Sequence, residues 1–504
     1  MGNERPCDLL IVGGGINGAG IARDAAGRGL DVLLVERDDL AAHTSSSSTK
    51  LVHGGLRYLE HYEFRLVAEA LAEREVLLRL APHIIEPLAF VLPHEPHLRP
   101  AWMIRAGLFL YDRLGGRMTL PTSFAVDLSG SHWGAGLQPR FRKGFVYADT
   151  RVDDARLVVI NAMSARAKGA CIRARTQLVS ALREGELWRA RLQTQEGAIE
   201  EVRARAIVNA GGPWVKDVLD SVRTDPSGAS VRHVKGSHIV VPRVHSQPHA
   251  YILQNADNRI VFIIPYQDRY SLIGTTDVAV DDYAAPAISV DEAEYLLELA
   301  NGYLATPLSK ADIVWTYSGV RPLYDDGSID PSSITRDYVL KLDAGSDGRA
   351  PPVLSIFGGK ITTYRKLAES ALVELKSYFP AMGAPWTRAE ALPGGDLPAS
   401  GLAAWTGELQ QRFAALPRDV VQGVAHRHGS LALQVLGDAK RPADLGEDFG
   451  NGLTAREVTY LMQQEWARTA DDVLWRRSKC GLGMPDAAWA RVTALVAQTQ
   501  CACP

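Results

Sequence analysis

Residues 7–37 decide the fold of this chain and read CDLLIVGGGINGAGIARDAAGRGLDVLLVER. The stretch opens with an apolar run of the kind that a strand buried on both faces requires. It continues through a glycine-rich turn and an alanine-rich segment, and it closes with a second apolar run. The turn has the pattern G-x-G-x-x-G, formed by Gly13, Gly15 and Gly18. Together these features predict a strand, a helix and a second parallel strand, the unit that binds a dinucleotide.

Each position of the pattern has a physical role in binding a pyrophosphate. Gly13 permits the tight turn, Gly15 lets the backbone approach the phosphates, and Gly18 lets the helix lie close to the strand. The N-terminus of the helix offers free N–H groups and the positive end of its dipole. Glu36, at the end of the second apolar run, suits ribose hydroxyls and disfavours a phosphorylated ribose. The alternative is a glycine-rich turn with a purely structural role.

Two later strand ends repeat the glycine-rich pattern. IVNAGGPW lies near residue 208, and SIFGGKITTYR lies near residue 358. FAD is long and buried along its length, so three returns of the chain to one nucleotide suit FAD. A nicotinamide cofactor that binds and leaves needs fewer contacts. We therefore expect FAD as the cofactor.

The composition excludes several classes of protein. The chain has 504 residues, of which 46% are hydrophobic and 22% are charged, as is ordinary for a globular protein. A net charge of -3 implies no polyanionic partner, so we expect no nucleic acid. The five cysteines are scattered without metal-ligand spacing, which indicates free thiols in a reducing compartment and no metal. The N-terminus shows no signal peptide, and no apolar run of about 18 residues predicts a membrane span.

The order of patterns predicts three domains. The expected architecture is an α/β Rossmann-type FAD-binding domain, a mostly antiparallel β substrate domain and a C-terminal all-α domain. We predict that the FAD-binding domain is discontinuous and that the helical cap has packing and oligomer contacts as its role. The predicted ranges are 1–80 with 145–230 and 341–390 for FAD, 81–144 with 231–340 for substrate, and 391–504 for the cap.

Residues 41–58, AAHTSSSSTKLVHGGLRY, form a polar stretch of small side chains. Their hydroxyl and N–H groups suit phosphate and ribitol oxygens, which favours a loop that contacts the nucleotide. A flexible serine linker is the alternative. The serine run is short and meets His53 and Gly54 without a break, so we favour the nucleotide loop.

Residues 98–117, LRPAWMIRAGLFLYDRLGGR, combine aromatic and apolar side chains with four arginines. An interfacial membrane helix has this composition. A helix packed on the core with solvated arginines explains the same pattern, and the residues alone favour that second interpretation.

FGGKITTYR, at 357–365, is the most informative motif outside the nucleotide turn. A helix beginning near Thr362 would aim its dipole at the flavin and stabilise the anion formed on reduction. Lys360 would add a fixed positive charge. Arg57, Arg321 and Arg336 would join Lys360 in a pocket for a phosphate dianion, since the planar guanidinium binds phosphate oxygens in pairs. Each arginine is alternatively a structural ion-pair partner.

Three histidines lie in segments that we expect near the flavin: His53, His233 and His238. Oxidation of a secondary alcohol requires loss of the hydroxyl proton together with the hydride, and a neutral histidine can serve as the base. A histidine in a strand such as GSHIVV is more often structural, so His238 is one candidate for the base among these.

Many stretches resemble the bacterial FAD-dependent glycerol-3-phosphate dehydrogenases of aerobic respiration, which belong to the D-amino-acid-oxidase-like flavoproteins. The resemblance runs from the first strand to about residue 480, and the last 25 residues of the chain are unmatched. It is carried by GGGINGAGIARDAAGRGLDVLLVE, SSSTKLVHGGLRYLEHYEFRLVAEALAEREVLL, VDDARLV, KGSHIVVPR, RIVFIIP, LIGTTD, DIVWTYSGVRPL, ITRDY, FGGKITTYRKLAE, DLGEDFG and ADDVLWRR.

The resemblance implies a reaction and a cellular setting. FAD would accept a hydride from C2 of sn-glycerol 3-phosphate, giving dihydroxyacetone phosphate, and the electrons would pass to a membrane quinone. A homodimer on the cytoplasmic face of the inner membrane, attached peripherally or partly cytoplasmic, is implied too. The interfacial interpretation of 98–117 becomes as strong as the core-packed one, since monotopic attachment needs no spanning helix.

Carried over residue by residue, the resemblance also implies a set of site residues. Its catalytic residues would be His238, Lys360 and Arg321. Its substrate contacts would be Arg57, Tyr58, Arg321, Arg336 and Lys360. Its cofactor contacts would be Gly13, Gly15, Asn17, Gly18, Glu36, Thr44, Ser45, Ser46, Ser48, His53, Gly55, Val179, Gly211, Gly358, Gly359, Lys360, Thr362 and Thr363. The serine loop departs from the family pattern by beginning with His43, which would tune the adenine or phosphate contacts.

Two other functions compete with this one. An amine or amino-acid oxidase of the same fold would use oxygen and would not need a cationic pocket for a dianion. A non-catalytic FAD-binding module would not need the dense polar set of the second domain.

Overall fold

A computed structural model describes residues 5–95, 99–222, 230–255, 259–325, 337–346 and 348–502. Arg336, one of the expected substrate contacts, lies outside the described residues. The strands are β1 Cys7–Val12, β2 Val32–Val35, β3 Leu51–Val52, β4 Ile85–Pro93, β5 Phe124–Asp127, β6 Lys143–Val152, β7 Cys171–Arg173, β8 Thr176–Glu184, β9 Leu187–Thr194, β10 Ile199–Asn209, β11 Ser230–Pro242, β12 Ala250–Gln254, β13 Ile260–Tyr266, β14 Tyr270–Gly274, β15 Val278–Ala279, β16 Trp315–Asp325, β17 Val339–Asp343, β18 Val353–Phe357, β19 Asp448–Gly450 and β20 Leu453–Thr454.

The α-helices begin where the polar-apolar pattern turns to a period of 3.6 residues. They are α1 Ile16–Gly27, α2 Phe64–Leu80, α3 Ala101–Leu114, α4 Asp154–Ala167, α5 Val215–Ser221, α6 Val290–Asn301, α7 Tyr364–Glu374, α8 Gly401–Arg412, α9 Arg418–His428, α10 Ala432–Leu436, α11 Ala455–Gln464 and α12 Asp486–Ala502.

The first sheet carries the expected dinucleotide unit. Its order is β17-β18-β10-β1-β2-β7, and β1 pairs in parallel with both β10 and β2. The β8–β9 hairpin joins it through β9 and β10. Helices α1, α4 and α7 bury alanine, leucine and isoleucine side chains against the sheet in one core cluster. The carboxyl ends of β1, β10 and β18 therefore meet at one edge, where open parallel sheets bind ligands.

The second sheet is antiparallel except for the pairing of β12 with β4. Its order is β15-β11-β14-β13-β12-β4-β6-β3, and β16 pairs with β11. Both β3 and most of β6 fall in ranges that we placed with the cofactor domain, yet they pair with strands of this sheet. The fold class is confirmed, while the domain boundaries stay a prediction.

The C-terminal part is built mainly of helices, with one difference from the expected all-α domain. Strands β19 and β20 form a short antiparallel pair. The turn between them, Gly450-Asn451-Gly452, has positive φ at all three residues, a conformation that glycine and asparagine tolerate. This local chemistry gives a tight hairpin within the helical pattern.

Helix α3 lies within the stretch with two open interpretations. It buries Leu108 and Tyr111, while Trp102 is 70% exposed and Phe109 53%. The helix therefore packs on the core along one side and presents aromatic side chains to solvent on another. Across the described ranges, we find no helix with both the length and the apolar character needed to cross a membrane.

Candidate functional site

The glycine-rich turn leaves no room for side chains at its first and third glycines. A Cβ atom on Gly13, which has a φ of +114°, would lie 2.4 Å from the carbonyl oxygen of Ala210. A Cβ atom on Gly18 would lie 1.9 Å from the carbonyl oxygen of Gly13. Helix α1 thus approaches β1 and β10 closely and directs its N-terminus at the cleft, as the sequence predicts.

Glu36 closes the ribose end of this cleft. It is buried, and its carboxylate accepts hydrogen bonds from the backbone N–H of Gly14 at 2.6 Å and of Asp38 at 2.9 Å. Burial raises the pKa of Glu36 above its ordinary value, while the two N–H donors act in the opposite direction. Remaining lone pairs on the two oxygens can accept ribose hydroxyls.

The serine loop lies beside the cleft, but several of its hydroxyls are already engaged. Ser45 Oγ accepts a hydrogen bond from the Ile16 N–H at 3.0 Å, and Ser46 Oγ donates to the His43 carbonyl at 3.1 Å. Ser48 Oγ donates to Asp154 at 2.8 Å. These bonds fix the conformation of the loop. The three hydroxyl groups are therefore less available to a ligand than the sequence suggests.

The glycine pair after β18 has left-handed backbone conformations that favour glycine, with φ of +71° at Gly358 and +96° at Gly359. Asn17 Nδ2 donates to the Gly358 carbonyl at 3.1 Å, which ties this turn to α1. Helix α7 begins at Tyr364, after the expected start near Thr362. The backbone there approaches the cleft as predicted.

Two connected cavities cover this edge of the first sheet. The nucleotide cleft, of about 180 Å³, is lined by Gly13, Gly15, Asn17, Glu36 and Gly211 among others. The central cavity, of about 860 Å³, lies between the two sheets. Thr44, Ser45, Gly358 and Gly359 line both. The predicted residues that line the central cavity alone are Ser48, His53, Tyr58, His238, Arg321, Lys360 and Thr362.

Some predicted residues lie outside both linings. Val179, on β8, has a side chain that is 38% exposed. Arg57 lies in the turn before α2, next to Tyr58, which lines the central cavity. The others outside the linings are Gly18, Ser46, Gly55 and Thr363.

Lys360 places an unpaired cation in the central cavity. Its Nζ atom is buried and has no hydrogen-bond partner among the described residues. The ammonium lies 4.0 Å from the centre of the Tyr58 ring, a cation–π contact. A buried ammonium held only by an aromatic face is suited to an anionic ligand.

His238 is 2% exposed and neutral at physiological pH. Burial lowers its pKa to about 3, and the charges of Lys50 and Arg321 act in the same direction. Its Nε2 lies 3.0 Å from Thr49 Oγ1, its ring stacks on Tyr317, and its Nδ1 has no partner among the described residues.

The other two histidines differ from His238 and from each other. Burial lowers the pKa of His53, and nearby Lys360 and Arg74 lower it further. His53 also lines the central cavity. His233 Nε2 instead lies 2.8 Å from the Pro213 carbonyl oxygen, and its ring stacks on Tyr283. All three histidines line the central cavity, and burial keeps His53 and His238 neutral, while the same lowered pKa makes each a weaker proton acceptor.

Arg321 lies at the rim of the central cavity with its side chain 41% exposed. It forms an ion pair with Asp277 and donates to the Thr276 carbonyl at 3.3 Å. A Cβ atom on Gly236 would lie 2.8 Å from Arg321 Nη2, so the guanidinium packs closely against the backbone of β11. The guanidinium therefore lies at the cavity beside Asp277, whose negative charge would repel a bound dianion.

Sequence reasoning missed several residues that form hydrogen bonds or ion pairs with the side chains around the site. Asp277 follows the LIGTT stretch, and Thr49 follows the serine run; both bind predicted residues. Asp149 accepts hydrogen bonds from Arg74 at 2.7 Å and from the Tyr111 hydroxyl at 2.6 Å. These partners are far apart along the chain, and the only signal was the position of Asp277 in a motif already noted.

The residues present fit FAD. The crowded glycines of the first turn let the backbone line the nucleotide cleft closely, and Glu36 lines the same cleft. Three buried polar atoms along the two cavities lack partners among the described residues: Asn17 Oδ1, His238 Nδ1 and Lys360 Nζ. Such atoms are normally paired in a complete site.

Comparison with known proteins gives the same answer about the family. Residues 8–365 match the FAD dependent oxidoreductase family, and residues 386–500 match the C-terminal domain of alpha-glycerophosphate oxidase. The glycerol-3-phosphate dehydrogenase of Pseudomonas aeruginosa is 55% identical over 476 residues, 94% of this chain and 92% of the relative. The D-erythritol 1-phosphate dehydrogenase of Brucella abortus is 49% identical over 490 residues, 97% of each chain.

A solved structure agrees. The glycerol-3-phosphate dehydrogenase from Bacillus halodurans, complexed with FAD, has a TM-score of 0.74 at 26% identity, with 98% of this chain and 95% of that chain covered. These similarities confirm FAD as the cofactor and the resemblance drawn from the motifs. The chain belongs to the FAD-dependent oxidoreductase family, in the branch that contains the bacterial glycerol-3-phosphate dehydrogenases.

Proposed function

We propose that the protein oxidises sn-glycerol 3-phosphate to dihydroxyacetone phosphate and passes the electrons to a membrane quinone. The observation that carries the proposal is the ammonium of Lys360, which has no hydrogen-bond partner among the described residues and lies in a cavity that also contains neutral imidazoles. The cation would bind phosphate, and an imidazole would take the hydroxyl proton. The relative with 55% identity bears the name glycerol-3-phosphate dehydrogenase.

In the proposed mechanism, bound FAD supplies the acceptor for the hydride that leaves C2. The substrate loses that hydride and its hydroxyl proton, and the C2–O bond becomes a carbonyl. His238 takes the proton in this proposal because it lines the cavity and its Nδ1 atom has no hydrogen-bond partner among the described residues, although its low pKa opposes this step. Lys360 and Arg321 hold the phosphate, and Tyr58 packs beside Lys360. We propose in addition that the cofactor contacts predicted from the sequence bind FAD.

His53 is the second candidate for the base, because it lines the same cavity. Single substitutions, His53→Gln and His238→Gln, separate the two roles. We expect the base variant to lose 10²–10⁴-fold in the rate of flavin reduction at saturating substrate. If neither variant loses this much in rate, neither histidine is the base.

D-Erythritol 1-phosphate is a second candidate substrate, because a dehydrogenase of that name is 49% identical over 97% of both chains. Both compounds offer a phosphate and a secondary alcohol. A steady-state assay with a quinone analogue should compare the two polyol phosphates at equal concentrations. We expect the larger kcat/KM for sn-glycerol 3-phosphate; a larger value for the four-carbon compound would reassign the substrate.

An amine or amino-acid oxidase remains the competing function of this fold. The same assay should include amino acids, with detection of hydrogen peroxide. Turnover of an amino acid with peroxide formation, and none of either polyol phosphate, would refute the proposal.

We also propose peripheral attachment to the inner membrane through α3, with a homodimer as the working unit. Exposed Trp102 and Phe109, with neighbouring arginines, suit the boundary between headgroups and acyl chains. Trp102→Ser with Phe109→Ser should reduce flotation with anionic lipid vesicles, while the exposed Val373→Ser on α7 should not. Equal flotation of all variants would exclude α3 as the membrane contact. The proposed homodimer is tested separately, by analytical ultracentrifugation.

A further inference from the structure

The motif ADDVLWRR, at 470–477, has no part in the proposed chemistry. Its last six residues form a π-helix, Asp472–Arg477. A π-helical turn is rare and frequently lies at a functional site. Arg477 points out of this turn with a side chain that is 0% exposed.

Arg477 forms a bidentate ion pair with Asp39 of the first domain. Its Nη1 and Nη2 atoms donate to the two Asp39 carboxylate oxygens at 2.6 and 2.7 Å. The Nε and Nη2 atoms also donate to the Glu465 carbonyl, at 3.0 and 2.7 Å. Arg476 Nε donates to Asp39 at 2.6 Å, so one buried carboxylate binds two arginines of the C-terminal part.

Asp39 lies in the segment that borders the cofactor. Residues 36–37 and 41–45 line the nucleotide cleft on either side of it, and Glu36 binds the Gly14 N–H of the glycine-rich turn. The Asp38 carbonyl accepts a hydrogen bond from the Arg175 N–H at 2.8 Å. Asp39 therefore connects the arginines to the loop whose shape the ribose and pyrophosphate require.

The other end of that loop is held in a similar way. Lys50 Nζ donates to the Ser46 carbonyl and to Asp154, each at 2.9 Å, and Asp154 also accepts from Ser48. Lys479, just after the motif, has its Nζ atom 3.9 Å from Asp154. The first part of the 36–50 segment thus contacts Arg476 and Arg477 directly, and its last part is linked to Lys479 only through Asp154.

We propose that ADDVLWRR is the positioning element for the FAD-binding loop, with Arg477 acting through Asp39. In this role the C-terminal part controls how tightly the protein retains FAD. The fork of the guanidinium fixes the carboxylate in one orientation, which a lysine cannot do. Without the two parallel hydrogen bonds of Arg477, Asp39 would keep Arg476 as an ion-pair partner but lose its fixed orientation, so the loop would leave its binding conformation.

The test is the release of FAD from the full-length holoenzyme. We would dilute purified Arg477→Lys and wild-type holoenzyme, follow free flavin by fluorescence, and follow the fold by far-UV circular dichroism at the same temperature. We expect FAD release from Arg477→Lys to be at least tenfold faster while the dichroism is unchanged. Release at the wild-type rate, or release only after the dichroism is lost, would overturn the proposal.

A second variant and a control keep the test decisive. Arg476→Gln removes a partly exposed partner of Asp39, and we expect FAD release to become several-fold faster. If Arg477→Lys does not fold, Arg476→Gln decides alone, and release at the wild-type rate overturns the proposal. Arg441→Gln removes an exposed arginine that pairs with Asp444 in the same part of the chain and should leave release unchanged. Because FAD release needs no substrate, this test is independent of the proposed reaction.

Discussion

Replacing Lys360 by methionine tests the electrostatics of the central cavity. The Nζ atom is buried with no hydrogen-bond partner among the described residues, and it contacts the Tyr58 ring at 4.0 Å. Methionine keeps the apolar stem and removes the charge. A residue with a structural role would be needed for stability, whereas a residue with a catalytic role would be needed only for turnover.

The expected magnitudes follow from these contacts. Loss of one donor that stabilises developing charge typically lowers kcat by about 10²–10³-fold. The lost cation–π contact is worth about 0.5–2 kcal/mol, and relief from burying an unpaired ammonium acts in the opposite direction. We therefore expect Lys360→Met to lower the rate of flavin reduction by about 100-fold or more and to change the free energy of unfolding by less than about 1 kcal/mol.

Stopped-flow flavin bleaching with sn-glycerol 3-phosphate and urea unfolding of the same preparations measure both quantities. Lys366→Met on α7 is the matched control, because Lys366 is partly exposed and pairs with Glu369. It should alter neither quantity. A Lys360→Met variant that reduces flavin within a few-fold of the wild-type rate, or that unfolds several kcal/mol more easily, would refute this reasoning.

Three further predictions concern Arg321, its ion-pair partner Asp277 and the buried histidines. Arg321→Ala should abolish turnover while the absorbance spectrum shows FAD still bound, and loss of FAD from that variant would assign the arginine to the cofactor. Asp277→Asn should lower KM for the phosphate substrate several-fold with little change in kcat, because the carboxylate competes with phosphate for Arg321; a raised KM in steady-state assays would mean that Asp277 positions the arginine instead. Acid should destabilise the fold, since burial lowers the pKa of six histidines among the described residues below the ordinary 6.5, so the folded state binds fewer protons than the unfolded chain. These are His53, His83, His238, His245, His249 and His428. The free energy of unfolding in urea should fall by on the order of 1 kcal/mol per histidine per pH unit below pH 6.5, and equal stability at pH 7.5 and 5.5 would contradict it.

The sequence predicted the features that depend on neighbouring residues. The turn at 13–18, the helix after it and the glycine pair at 358–359 each need a local backbone conformation, which the residue types disclose. The cationic position of Lys360 could be inferred for the same reason. The expected start of α7 near Thr362 lies close to the observed start at Tyr364, where Thr363 is the N-cap residue.

The features that the sequence did not disclose depend on contacts between distant residues. The sequence left open whether Arg321 binds phosphate or forms a structural ion pair, and it could not show that Asp277 would be the partner. The serine hydroxyls looked available until α4 placed Asp154 against Ser48. ADDVLWRR matched a family pattern, but its contact with Asp39 joins residues 438 positions apart and leaves no periodic signal.

The most direct test of the central claim is an anaerobic titration of the purified holoenzyme with sn-glycerol 3-phosphate, in which the flavin absorbance near its visible maximum is recorded. We predict stoichiometric bleaching by sn-glycerol 3-phosphate, while glycerol and amino acids leave the spectrum unchanged. A holoenzyme with full FAD content that sn-glycerol 3-phosphate does not bleach would contradict the proposed reaction.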